Sequence, residues 1–388
     1  MLNLVERSEQ ARAQLIQYLR ATGAIRSERI AQAFFATQRE AFVTRFFDQE
    51  GFKWIPRTAE QYDFGQWIEA VYRDEPLVTW IDACNRPGSS SSAPTVMAMM
   101  LEALDPQPGH RVLEIGTGSG YNAALLAFLV GNPHLVTTIE VEESLAQDAK
   151  GALEAIVGPV SVQIGNGYDG VQLYAPYDRI IATASSPIIP RTWYEQLAPN
   201  GRLVMDLQGS LRKSGFLVIE KNGVGLAYGR FDPHYLYFMP MRSGPLAMSP
   251  VKKLLQQTAI QRIVLEDDTT TNILFDNANF HWFLQWSIPG ITLSKARMKE
   301  KNGMLNIPLV TFVDPEEKSI IQLSLRDSKW SGYERGKGGL WEAIIETFHE
   351  WNSLERPDQA TYHVEWNQQD ACFQLICKQG RTRRSFDL

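Results

Sequence analysis

Apolar residues recur three and four positions apart through "ARAQLIQYLRATGAI" and "SERIAQAFFATQREAFV". This predicts helices across residues 7–45, the second capped by Ser27. The period then lapses: residues 46–90 carry scattered aromatics, among them Trp54, Trp67 and Trp80, and read as loops and short helices. From residue 94 two periods alternate. "TVMAMMLEAL", "YNAALLAFLV", "SLAQDAKGALEAI" and "RTWYEQL" have helical spacing, while "RVLEIG", "LVTTIEV", "VSVQIGN", "YDRIIATAS" and "GRLVMDL" are apolar runs of strand length. Helices alternating with such strands predict an α/β fold, a parallel sheet covered on both faces. "GFLVIEKNGVGLAYGRF" reads as a hairpin turning at Asn222-Gly223, which adds antiparallel strands at the end of the sheet.

The pattern changes again near "SGPLAMSP" (243–250). Beyond it, "NFHWFLQWSIPGI" is dense in aromatics. "GLWEAIIETFHEW" places Trp341, Ile344, Ile345, Phe348 and Trp351 on one helical stripe. "TYHVEWNQQDACFQLICK" reads as a hairpin. Residues 245–388 are therefore expected to form a separate, smaller α+β domain, which holds six of the ten tryptophans.

Composition narrows the class. A chain of 388 residues is long enough for two or three domains. A net charge of −6 argues against a broad nucleic-acid surface. No apolar run has the length of a membrane span, and "MLNLVERSEQARAQ" lacks the apolar core of a signal peptide. Cys84, Cys372 and Cys377 suggest no disulfide framework, so a soluble, reducing, cytoplasmic setting is expected. No metal site is expected, because the histidines lack ligand spacing and His349-Glu350 lacks the second histidine of H-E-x-x-H. The basic stretch "KQGRTRRSF" (378–386) reads as a solvated tail or a contact for an acidic peptide.

Two stretches carry chemistry. In "VLEIGTGSGYNAALLA", Gly116, Gly118 and Gly120 lie between a strand and a helix, where the backbone can approach a ligand and the helix start has unpaired N–H groups. Glu114 precedes the loop, where a carboxylate can face an ammonium. Glu140 ends the next strand, where an acid can accept from ribose hydroxyls. The dinucleotide pattern G-x-G-x-x-G is not met. The loop resembles that of S-adenosylmethionine (SAM) methyltransferases, and Asn166-Gly167 falls where such enzymes contact adenine; a plain Asn-Gly turn is the alternative. The second stretch is "RPGSSSSAPTVMAMMLEAL" (86–104), whose four serines read either as slack linker or as part of an active site.

The segments "LIQYLRATGAIRSERIAQAFFATQREAFV", "AVYRDEPL", "SAPTVMAMMLEAL", "VLEIGTGSGYNAALLA", "YDRIIATASSPIIPRTWYEQLAPNGRLVM" and "FMPM" occur in that order. Together they resemble the protein-L-isoaspartate O-methyltransferase family over residues 10–242. The resemblance implies a Rossmann-like SAM sheet with N-terminal helices, and methyl transfer to a peptide carboxylate. It divides the chain into an N-terminal helical and acceptor-side segment (1–93), a SAM-binding domain (94–244) and the C-terminal domain (245–388). The family's Thr-Ile-Ser-Ala-Pro segment matches Ser90 to Pro94, which makes Ser92, with Ser91, the catalytic candidates. Ser90, Glu114, Gly116, Thr117, Gly118, Glu140, Asn166 and Gly167 are then the cofactor candidates. Thr95 stands where the family usually has His, and "NRPG" replaces an expected Gly-Gln pair, so altered acceptor choice is implied.

The stretches Phe280 to Gly290 and Gly338 to Trp341 further resemble a subgroup that methylates an aspartate of a ribosomally made precursor peptide, the ester then closing to an aspartimide. Such a modified peptide is the expected partner, with repair of isoaspartate in damaged proteins as the alternative function. A protein that binds SAM without turnover is the rival class.

Overall fold

A computed structural model describes residues 4–50, 53–242, 251–265, 268–299, 306–379 and 382–388. The change of pattern at 243–250 lies outside the described residues. The chain clusters into two compact units. One comprises Met1–Asp206, Phe216–Arg230 and Leu236–Ser243; the other comprises Leu207–Gly215, Phe231–Tyr235 and Gly244–Leu388.

The first unit begins with helices α1 (Leu4–Ala21) and α2 (Glu28–Ala36). The Ser27 side chain accepts from Ile30 N and starts α2, as its position predicts. The next stretch departs from expectation. In place of loops and short helices it forms a four-stranded sheet of β1 (Arg45–Glu50), β2 (Lys53–Thr58), β3 (Leu77–Ile81) and β4 (Pro87–Ser91), with α3 (Phe64–Val71) inserted. The order is β2-β1-β3-β4, so the serine run is an edge strand antiparallel to β3.

Helix α4 (Pro94–Leu104) leads into the alternating region. There β5 (Val112–Ile115), α5 (Tyr121–Val130), β6 (Val136–Glu140), α6 (Glu143–Ile156), β7 (Ser161–Ile164), β8 (Tyr177–Ala182), α7 (Arg191–Gln196) and β9 (Leu197–Gln208) follow the predicted sequence of elements. Strands β5, β6, β7, β8 and β9 are parallel, in the order β9-β8-β5-β6-β7. The chain moves outward one way from β5 to β7, then crosses to β8 on the other side. That reversal between β5 and β8 opens a crevice at the carboxyl ends of the strands.

Helix α5 is apolar nearly all round, and it is buried nearly all round, with Phe128 its exposed apolar residue. It packs against β6 and against α2. Strands β10 (Ser214–Lys221) and β11 (Ala227–Phe231) extend the order beyond β9. Their turn is longer than Asn222-Gly223: Asn222 N donates to Leu226 O, and Gly225 rather than Gly223 takes the left-handed φ of 82°.

The second unit contains a five-stranded antiparallel sheet, in the order β12-β16-β15-β14-β13. These strands are β12 (Ala259–Leu265), β13 (Thr292–Lys299), β14 (Asn306–Asp314), β15 (Ser319–Arg326) and β16 (Lys329–Gly336). Helices α8 (Val251–Leu255), α9 (Asp268–Asp276), α10 (Ala278–Ser287) and α11 (Leu340–Ser353) accompany it. The aromatics fill a core. Phe280 lies 5.5 Å from Trp351 and 5.8 Å from Phe348, ring centre to ring centre. The buried stripe of α11 runs through Leu340, Ile344, Thr347, Phe348 and Trp351, while Trp341 and Ile345 are half-buried.

The expected hairpin forms as β17 (Tyr362–Asn367) and β18 (Cys372–Gln379). The basic stretch is not a solvated tail: β19 (Thr382–Asp387) pairs with β18 and buries Phe386, while residues 380–381 lie outside the described residues. No helix among the described residues is long and apolar enough to cross a membrane.

Candidate active site

The glycine loop leaves β5 at the crevice. Gly116, Gly118 and Gly120 have φ of 94°, 52° and 85°, a region that L side chains rarely adopt. A Cβ on Gly118 would lie 3.3 Å from Ser89 Oγ and 3.5 Å from Ser90 O. A side chain at position 118 would therefore crowd the serine run, which lies close to the glycine loop here. Gly120 caps α5 without a side-chain acceptor, leaving the first N–H groups of a ten-residue helix uncapped by any side chain.

Two acids frame the loop from beneath. Glu140 Oε2 accepts from Gly118 N at 3.0 Å, and its Oε1 accepts from Val141 N and Glu142 N at 3.0 and 3.2 Å. These bonds fix the carboxylate at the tip of β6. A carboxylate has about four lone-pair sites, so it retains acceptor capacity.

Glu114 is 0% exposed and satisfied internally: its oxygens accept from Asn122 Nδ2 and Thr138 Oγ1, each at 2.7 Å. Thr138 Oγ1 is also 2.7 Å from Thr117 Oγ1. Glu114 thus ties β5, the loop, α5 and β6 together, and burial pushes its pKa up to about 7. Asn122 Oδ1 is buried without a partner beside it. Thr183 closes the other flank, donating to Gly116 O at 2.7 Å. Asn166 Oδ1 accepts from Tyr168 N and caps a short turn, and Gly167 O accepts from Trp193 Nε1 at 2.8 Å. A Cβ on Gly167 would meet Ile115 at 2.7 Å and Met241 at 2.8 Å, so the "FMPM" segment packs against this part of the crevice.

Behind the serine run lies Arg39, 0% exposed and not singled out from the sequence. Its guanidinium donates to the carbonyls of Val71 (2.8 Å), Arg73 (3.1 Å), Glu75 (3.3 Å), Ser91 (3.2 Å) and Ser92 (3.1 Å), and to Ser91 Oγ (3.3 Å). Burial lowers its pKa to about 10. Arg39 therefore positions Ser91 and Ser92 through their backbones. Ser89 and Ser91 are buried, whereas Ser90 and Ser92 are half-buried and their hydroxyls bond to no described residue. Asp74 accepts from Thr95 N and Oγ1, at 2.8 and 2.6 Å, and so caps the start of α4 next to the run. At the far end of β4, Arg242 donates to Gly88 O at 3.2 Å and stacks 5.2 Å above the Trp80 ring. Arg39 and Asp74 lie in "ATQREAFV" and "AVYRDEPL", two of the segments that carry the family resemblance; an isolated arginine at a helix end otherwise reads as surface.

A parallel sheet with a glycine loop at its switch point, and an acid fixed at the tip of the neighbouring strand, defines the class as an α/β methyltransferase. Positive-φ glycines, an uncapped helix start, a carboxylate with spare acceptor sites and an orphaned buried acceptor fit the amino-acid and ribose parts of SAM. Comparison with known proteins agrees. The family described as protein-L-isoaspartate(D-aspartate) O-methyltransferase (PCMT) matches residues 9–242. The protein-L-isoaspartate O-methyltransferase of Methanopyrus kandleri is 36% identical over 217 residues, covering 55% of this chain and 84% of its own. That of Staphylothermus marinus is 39% identical over 206 residues, covering 51% and 80%. A solved protein-L-isoaspartate O-methyltransferase shares the fold over 95% of this chain and 99% of its own, with a TM-score of 0.56 at 22% identity. The chain belongs to the protein-L-isoaspartate(D-aspartate) O-methyltransferase family, whose members are SAM-dependent carboxyl methyltransferases.

Proposed function

We propose that this protein methylates the side-chain carboxylate of an ordinary aspartate in a ribosomally made peptide, and that the ester then closes to an aspartimide. The observation that carries the reading is the close approach of the serine run to Gly118, where an added Cβ would crowd Ser89 and Ser90; it supports a shared site for methyl donor and acceptor. When bound, SAM supplies a methyl group on a positively charged sulfur.

An aspartate carboxylate, with a pKa of about 3.9, is already a nucleophile near neutral pH, so no strong base is required. The demands on the protein are to strip water from that carboxylate and to hold one oxygen in line with the methyl group. Ser92 suits this, because its hydroxyl bonds to no described residue and its carbonyl is fixed by Arg39. Ser91, buried and bonded through Oγ to Arg39, supports Ser92 from behind, and Ser90 lies on the cofactor side. Glu140 takes the ribose hydroxyls, Gly116, Thr117 and Gly118 the amino-acid end, and Asn166 with Gly167 the adenine side; Glu114 holds the loop in shape. The next residue's backbone nitrogen then attacks the ester carbonyl carbon; the C–N bond forms as the C–OMe bond breaks, and the departing methoxide takes the amide proton and leaves as methanol, giving the five-membered ring.

The Thr95–Asp74 cap, at a position where the family usually has His, favours an acceptor other than isoaspartate. The second unit is the part we assign to peptide recognition. Repair of isoaspartate is the second reading, favoured by the names of the relatives that match residues 9–242. The test is competition between a short isoaspartyl peptide and a longer aspartyl peptide for labelled methyl groups. Faster labelling of the aspartyl peptide, followed by loss of methanol in mass spectrometry, supports maturation. Preferential turnover of the isoaspartyl peptide makes the protein a repair enzyme.

A further inference from the structure

The hairpin strand β18 has a partner on each side, β17 and β19, so it presents no free edge to an extended peptide. A free edge does exist in the five-stranded sheet of the second unit. There β13 pairs only with β14 among the described residues. It is eight residues long, and Ser294, Lys295, Ala296, Arg297 and Met298 are exposed along it. Long exposed edges are hazards that proteins usually shorten, cover or occupy.

Beside this edge is a groove of about 350 Å³. Phe275, Pro308, Val310 and Trp330 supply apolar walls, and Lys295 and Arg297 rise from β13 at the rim. The register explains the shape. Lys295 lies opposite Val310 and Arg297 opposite Pro308, so both basic residues flank the apolar strip of β14. Phe275 and Trp330 meet edge to face at 4.9 Å and make a rigid aromatic corner. Lys295 is paired with Asp276, whereas Arg297 has no ion pair among the described residues. Arg297, exposed and without an ion pair among the described residues, gives the rim of the groove a local positive charge that favours an acidic ligand despite the chain's net charge of −6.

We propose that an acidic, extended segment of the peptide substrate adds as a strand to β13, placing alternate apolar side chains in the Phe275–Trp330 groove and a carboxylate on Arg297. Strand addition supplies affinity through main-chain bonds, and the alternating pockets supply selectivity. This inference rests on the peptide-methylation reading and names a surface that would hold part of its substrate.

The test uses the full-length protein and a fluorescein-labelled twelve-residue peptide of alternating Glu and Val or Phe, with no Asp. Binding is then read by anisotropy without any methyl transfer. The acidic peptide should bind at least tenfold more tightly than its Lys-for-Glu counterpart, and Arg297→Glu should abolish that preference. Arg297→Glu should also leave methylation of a short peptide unchanged, since the residue is exposed and remote in sequence from the serine run and the glycine loop. Equal binding of the two peptides, or an unchanged preference in Arg297→Glu, overturns the proposal. So does sedimentation showing a dimer that Arg297→Glu dissociates, because a second copy then covers the edge. Failure of methyl transfer with acidic-peptide binding intact counts against the proposed function and not against the groove.

Discussion

Replacing Arg39 by Met removes the donors that hold Ser91 and Ser92, while keeping an apolar stem of similar length. Three of its bonds are fully buried, those to Val71 O, Ser91 O and Ser91 Oγ. A buried acceptor left unpaired costs roughly 1–3 kcal/mol. Against this, burial holds the guanidinium at a pKa of about 10 instead of 12.5, and losing the cation relieves about 3 kcal/mol. The bonds to Arg73, Glu75 and Ser92 are only partly buried, and water replaces them. The net loss is about 3 kcal/mol, which for a unit of this size lowers Tm by roughly 6–12 °C. Arg39→Lys keeps the charge but has three donors, which cannot bridge both the Val71–Glu75 and the Ser91–Ser92 carbonyls. Below its own Tm, either variant should lose at least tenfold in kcat/KM for methyl transfer, while affinity for S-adenosylhomocysteine stays within a few-fold. Calorimetry and a single-turnover assay read the two effects separately. A Met variant as stable as the parent, methylating at the parent rate, refutes the assignment of Arg39 as the residue that positions the serine run.

Three further outcomes are expected. Glu140→Ala should weaken S-adenosylhomocysteine binding by on the order of 1–3 kcal/mol in titration calorimetry, since ribose hydroxyls lose their acceptor. Ser92→Ala should slow methyl transfer with nucleotide affinity within a few-fold; the reverse pattern assigns the residue to the cofactor. Glu114 has a folded-state pKa raised from 4.5 to about 7, so the folded state holds the extra proton. Its stabilising effect is complete below about pH 4.5 and is lost as pH rises through about 7, a change of about 3 kcal/mol. Glu114→Gln can accept from Asn122 and donate to Thr138, and a pH series of Tm should show that fall flattened.

The alternating region was legible because its signals are local. Short apolar runs end at Gly116 and Glu140, and helices begin where the glycines or polar caps stop them. The sheet of β1 to β4 was not legible. Its burial pattern in β2 has no clean alternation, Pro56 interrupts it, and Pro-Gly-Ser-Ser-Ser has little strand propensity. That strand forms because β3 pairs with it and Arg39 gathers its carbonyls, both contacts from distant sequence. The site was legible in outline for the same reason: glycine spacing and a strand-end acid are local, whereas the Arg39 hub and the Glu114–Asn122–Thr138 bonds exist only after folding. Glu114 illustrates the difference. Its place before the loop predicts a carboxylate facing a ligand ammonium, yet both of its oxygens are bonded within the protein.

The most direct test of a carboxyl methyltransferase is the chemical nature of the bond it makes. The full-length protein is incubated with SAM carrying a tritiated methyl group and an aspartyl peptide, and the recovered peptide is treated with mild alkali. A carboxyl ester releases its label as volatile methanol in alkali, and an ester that has already closed to the ring has released it as methanol at closure, so the account predicts that nearly all of the transferred label is collected as methanol. Label that stays on the peptide through alkali marks methylation of nitrogen, sulfur or an ether oxygen, and contradicts the assignment.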